Sequence, residues 1–256
     1  MSRAKPSKKE MERNQLESFK RNWPDFPECE IEEREEPDFL LRCEERTIGI
    51  ELTELYWEAP ALGMPMQARE TLLQRIVDRA CSQYQAKGLT AVHVSVHFSH
   101  WFTPSKSDVY RLADVIEAWA ERNLPVPPVR GARFEESYDH ENRGYFPEEI
   151  FSLSLQVWPE GYETSFSNPS AHFIPELEEK DIHRTLQLKE SKVVRYREAC
   201  DELWLLVNSD FGPLSTFFER SDEVFQSAFV SSFDRVFFMA HVGSGPIELN
   251  IRRPGA

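Results

Sequence analysis

The sequence predicts an α/β protein with a mixed central β-sheet flanked by helices on both faces. Three observations carry that expectation. Amphipathic helical stretches alternate along the chain with short strand-like runs. Two such runs lie close enough together to form a hairpin. Downstream, the run LWLLV reads as a strand buried on both faces, as strands between two helical layers are.

Residues 10–22 form the first predicted helix, with Leu16 and Phe19 on one side and Pro24 ending it. The alternating acidic run ECEIEERE that follows is either a strand or a solvated edge. Residues 38–55 carry the hairpin, and YWEAPALGMP then breaks the pattern with two prolines and a glycine. Residues 67–87 place Leu72, Leu73, Ile76, Val77 and Ala80 on one helical face. LTAVHVSVHFS alternates as a buried strand. Residues 107–123 return to helical spacing through Val109, Leu112, Ala113, Ile116 and Trp119. The polar, Pro/Gly-rich residues 125–149 read as a surface loop. Residues 150–158 are a strand, and residues 162–166 return beside it. Residues 181–200 are helical, 203–207 are the buried strand and 222–230 a short helix. Residues 235–242 and 247–251 close the sheet. No internal repeat is visible. Residues 1–9 are expected to be a disordered basic tail and residues 10–256 a single domain. Residues from about 58 to 148 are either an insertion in it or part of the main sheet.

At 256 residues, 40% hydrophobic and 29% charged, the chain has the composition of a soluble globular protein. No window is apolar for the roughly 18 residues a membrane span needs, and the N-terminus lacks an apolar signal core. The expected location is the cytoplasm, with no membrane partner. Cys29, Cys43, Cys81 and Cys200 form no C-x-x-C pair and are read as reduced thiols. A net charge of −14 argues against broad binding of nucleic acid through a basic face, but leaves room for a local groove or for carboxylates that hold cations. No P-loop, dinucleotide-binding or nucleophile-elbow motif occurs.

The hairpin PDFLLRCEERTIGIELTEL carries the chemistry. With Glu44 and Glu45 as central turn residues, or with a four-residue loop from Cys43 to Arg46, Asp38 faces Glu51. Facing residues have Cβ atoms roughly 4.5–5.5 Å apart, and like charges so placed destabilise a sheet unless something offsets them. A divalent cation does so, since Mg²⁺ takes one or two carboxylates together with waters and phosphate oxygens. The backbone carbonyl of Leu52 offers a further oxygen. Thr53 shares the face of Glu51, and Glu54 alternates to the other. The alternative is an ordinary hairpin, because chance often opposes carboxylates in a chain with 44 acidic residues.

Pro37-Asp38, twelve residues, then Glu51-Leu52-Thr53 resembles the core motif of the PD-(D/E)xK nuclease superfamily, which has the restriction-endonuclease-like fold. The resemblance covers roughly residues 10–55 and 180–242. It departs from the family at Thr53, which stands in the motif's lysine position. It implies a restriction-endonuclease-like core and Mg²⁺- or Mn²⁺-dependent hydrolysis of phosphodiesters, with DNA bound through a local groove. Asp38 and Glu51 would be catalytic metal ligands, joined by the Leu52 carbonyl and by Glu17 on the first helix. The missing lysine would come from LQLKESKVVRYREAC, where Lys189 and Lys192 lie three apart on one helical face. Lys192 is the expected lysine, with Lys189 beside it as a phosphate contact and Tyr196 supporting the same face. An ammonium is needed there to stabilise charge that builds on the phosphoryl oxygens. The alternatives are lysines on a solvated surface, and a catalytically inactive protein of this fold or an acidic adaptor or DNA mimic. Such a protein would act through a protein partner or a second copy of itself.

His93 and His97 share a strand face but lie about 13 Å apart, too far for one metal, and a groove-lining role is left to them. Trp101, Phe102, Tyr145 and Phe146 are either base-stacking or core residues.

Overall fold

The computed structural model describes residues 7–58, 62–169, 174–210, 214–240 and 245–255. The predicted disordered tail lies outside them through residue 6, as do residues 241 and 242 of a predicted strand. Ser7 belongs to the first helix, α1 (Lys8–Asn22), as its cap. Its hydroxyl accepts from the Glu10 amide, and the Glu10 carboxylate accepts from the Ser7 amide at 2.7 Å. This capping box satisfies two orphan donors and starts the helix two residues earlier than its apolar spacing indicates.

The chain packs as two compact units, residues 1–57 with 173–256, and residues 58–172. The expected single domain is thus divided, and the second unit runs beyond residue 148.

In the first unit β1 (Glu30–Glu33), β2 (Phe39–Arg42), β3 (Thr47–Glu54), β8 (Glu202–Ser209), β10 (Arg235–Ala240) and β11 (Ile247–Glu248) form one mixed sheet in that order. The β1–β2–β3 meander is antiparallel, β3–β8–β10 is parallel, and β11 is antiparallel to β10. Alternate side chains face opposite layers. Ile50, Trp204, Leu206 and Phe237 pack with Leu16 and Phe19 of α1. Leu203, Leu205, Val207 and Val236 pack with Ile182 and Leu186 of α4 (Glu179–Glu190) and with Tyr196 of α5 (Val193–Tyr196). Burial under both layers explains the uninterrupted apolar run of β8. The predicted helix over 181–200 is broken, because Ser191 caps α4 and Lys192 begins α5. The predicted helix over 222–230 reduces to a 3-10 turn at Val224–Gln226 followed by β9 (Ala228–Val230). That strand pairs in parallel with β12 (Asn250–Arg252).

In the second unit β5 (Arg133–Ser137), β6 (Ile150–Val157), β4 (Val92–Phe98) and β7 (Ser165–Ser167) form a four-stranded sheet in that order. Its buried face lies under α2 (Met66–Ala86) and α3 (Asp108–Arg122), where Leu73, Ile76, Ile116 and Trp119 meet Val94, Val96, Leu153 and Leu155. Two expectations change here. β5 lies within the predicted loop, and β7 pairs in parallel with β4 rather than beside β6.

The cysteines also differ from expectation. Cys29 and Cys43 form a disulfide with Cα atoms 4.8 Å apart, while Cys81 and Cys200 are free thiols. The β1–β2 ladder pairs Glu30 with Arg42, so the next step outward sets Cys29 opposite Cys43. Among the described residues no helix is long and apolar enough to cross a membrane.

Candidate active site

The β2–β3 ladder pairs Phe39 with Ile50 and Arg42 with Thr47, and the Cys43 amide donates to the Arg46 carbonyl across the turn. One step beyond Phe39 and Ile50, Asp38 comes opposite Glu51, the register expected from turn length. Both carboxylates are about 95% buried, at 5% and 4% exposure.

Asp38 sits just before β2, held by its own carbonyl, which accepts from the Arg34 amide at 2.9 Å. Its Oδ2 accepts from the Leu52 amide at 2.8 Å. Burial and the Glu51 charge push its carboxyl up to about 7, against which the Leu52 amide acts in the opposite sense. Glu51 Oε1 accepts from the Lys189 ammonium and the Tyr196 hydroxyl, both at 2.7 Å. Lys189 also donates to the Leu52 carbonyl at 3.2 Å. Burial, and then the bond to Glu51, hold the Tyr196 phenol far above its usual range, so it stays a donor. Glu51 Oε2 is buried without a hydrogen-bond partner. A buried carboxylate oxygen left bare is costly, and an unmade contact of this kind asks for a ligand.

Two predicted site residues lie away from the carboxylates. The lysine paired with Glu51 is Lys189, in the last turn of α4, whereas Lys192 is exposed beyond the break. Glu17 is exposed on α1, away from the side that packs. The buried acid of α1 is Glu12, whose charge adds to the upward push on Asp38. Lys8 and Lys9 pair with Glu12 at 2.8 and 3.3 Å. Glu12 was detectable in the sequence, because residues 12, 16 and 19 share a helical face with Leu16 and Phe19. Tyr196, expected on the face of Lys192, donates instead to Glu51, and Thr53 is half-buried in β3. Glu54, on the opposite face, accepts from the Tyr56 hydroxyl.

Close packing holds the site from behind. A Cβ on Gly49 would lie 2.8 Å from Cys200 Sγ, 2.9 Å from Pro37 Cγ and 3.1 Å from Leu203 Cδ1. Only glycine lets Pro37, which carries Asp38, approach β3 so closely. Arg195 pairs with Glu36 at 2.5 Å and ties α5 to the segment leading into Asp38.

Among the described residues no group of three or more His, Cys, Asp or Glu side chains is arranged to hold a metal. Two carboxylates and the Leu52 carbonyl nevertheless fit a hard cation of the Mg²⁺ type, which completes its shell with water and phosphate oxygens. Phe102 and Phe146 are core residues, while Trp101 and Tyr145 are exposed.

No protein-family model, curated protein or solved structure matches the chain.

Proposed function

We propose that the protein is a Mg²⁺- or Mn²⁺-dependent nuclease that hydrolyses phosphodiesters of DNA, on a restriction-endonuclease-like core. The observation that carries this reading is the buried pair Asp38–Glu51 with the Lys189 ammonium on Glu51 and on the Leu52 carbonyl. Those are the carboxylates, carbonyl and cation that metal-assisted phosphoryl chemistry uses. Asp38, Glu51 and the Leu52 carbonyl would hold the ion, with Glu51 Oε2 as the oxygen still open to it. When bound, Mg²⁺ supplies positive charge to the phosphate and lowers the pKa of an attacking water.

The remaining work belongs to this chain's residues. The Leu52 amide fixes the direction of the Asp38 carboxylate. The Tyr196 hydroxyl holds Glu51 in one rotamer, and neither group reorganises as charge develops. Lys189 reaches the pair from another element and offers an ammonium to phosphoryl oxygens, the role Thr53 cannot fill. Burial of the pair strengthens every charge interaction there.

Cleavage of plasmid and oligonucleotide DNA with Mg²⁺ or Mn²⁺ tests this. Asp38→Ala, Glu51→Ala and Lys189→Ala are each expected to lose at least about 10²-fold in rate, while Lys192→Ala stays within a few-fold of wild type. Equal cleavage by wild type and Asp38→Ala would sink the reading.

A second reading has its own support: Lys189 already occupies Glu51 Oε1 and the Leu52 carbonyl. As a permanent counter-ion it would make the protein a non-catalytic relative acting on protein partners. A cation-dependent rise in Tm that Asp38→Asn abolishes favours the nuclease, because a ligand stabilises only the state that binds it.

A further inference from the structure

The second unit's sheet has one face under α2 and α3; its other face is polar across all four strands. The register sets Arg133, Gln156, His93 and Ser165 in one row across β5, β6, β4 and β7. Glu135, Ser154, Ser95 and Ser167 make up the next row. A cleft of about 260 Å³ opens here, its polar lining formed by Arg133, Glu135, Ser154, Gln156, His93 and Ser95 beside the apolar Phe134 and Leu155. It falls just under the volume of drug-sized sites and suits one flat, fused-ring base.

We propose that this cleft binds an unpaired guanine base. His93 is fixed by three hydroxyls: Nδ1 lies 2.9 Å from Ser165 Oγ, and Nε2 lies 3.2 Å from Ser95 Oγ and 3.3 Å from Ser167 Oγ. Burial lowers its pKa and so favours the neutral imidazole. Trp158 lies 5.6 Å from the His93 ring, and Tyr162 stacks on Trp158 at 5.4 Å, giving the row an aromatic end. Arg133 and Glu135 cancel in charge, so the lining favours a neutral ring over an anion.

The two charges also discriminate. They stand two residues apart on one strand face, about 7 Å, on either side of a ring's width. Guanine presents N1–H and N2–H side by side to a single carboxylate, and O6 and N7 side by side to a guanidinium. Adenine lacks the first pair, and the pyrimidines lack the second. Glu135 and Ser154 make no side-chain hydrogen bond among the described residues, while Arg133 makes only a long one, 3.4 Å, to Gln156. All three are therefore open to a ligand. The site is independent of the cleavage chemistry and stands whether or not that reading holds.

Calorimetric titration of the full chain in EDTA, where cleavage is blocked, provides the test. The titrants are GMP, AMP, CMP, UMP, glucose, and single-stranded oligonucleotides with and without guanine. GMP or the guanine-containing strand is expected to bind at least about ten-fold more tightly than any other titrant of its kind. Binding of GMP marks a site for the free nucleotide as well, and binding of the strand alone marks one for a base within a chain. Glu135→Gln, which replaces one of two acceptors by a donor, is expected to lose at least about ten-fold for guanine. Glu135 is exposed, so the fold should persist, and Asp38→Ala is expected to bind as wild type does. Equal titration by all four nucleotides, preference for glucose, silence at millimolar concentrations, or full binding by Glu135→Gln each overturns the proposal.

Discussion

Asp38 carries a charge that its surroundings oppose, since burial and Glu51 together push its carboxyl from an ordinary 3.8 to about 7. Between those values the folded chain holds a proton that the unfolded chain has released. Stability from this group is therefore full below about pH 4 and is lost as pH rises through about 7. Asp38→Asn is expected to raise Tm in EDTA at pH 8 and to flatten the wild-type decline across that window. Melts in both proteins from pH 4 to 8 check this, and an unchanged slope would show that Asp38 is not its source. Tyr196→Phe removes one donor from buried Glu51 and is expected to cost about 1–3 kcal/mol in urea unfolding. The facing pair Asp38–Glu51 was legible because a hairpin with a set turn leaves only one register. The lysine was not, because spacing along an unbroken helix treats Lys189 and Lys192 as neighbours on one face. Ser191 ends that helix between them.

At the level of elements, the hairpin's exactness of fit depends on Gly49. Gly49→Ala must displace Cys200 or Pro37 and is expected to lower Tm and, under the proposed function, the cleavage rate, with Asp38 carried along by Pro37. The Cys29–Cys43 bridge staples the ends of β1 and β2 across a separation of 14 residues. Replacing both cysteines by serine is expected to cost about 3 kcal/mol. Reductant should bring wild type to the same stability and leave the double variant unmoved. The helices α2 and α3 and the strands β4 and β6 were readable from period alone, since each has one buried face. Strand β5 was not, because RFEES is exposed at four of its five positions and shows no alternation. The disulfide was not legible because the short acidic strand β1 has no buried alternation to fix its register against β2.

For the whole molecule, residues 58–172 are continuous in sequence and own a separate core built on Ile76, Val94, Ile116 and Leu153. A fragment of those residues is expected to unfold cooperatively by circular dichroism, and a featureless melt would refute its autonomy. The first unit is discontinuous, and that matters during synthesis. Glu51 meets Lys189 only after 138 further residues are made, on the order of ten seconds at about 5–20 residues per second. Until then β3 also lacks β8, its parallel neighbour. A nascent chain on the ribosome thus displays two acids without their ammonium, and the proposed site is complete only as the last third emerges.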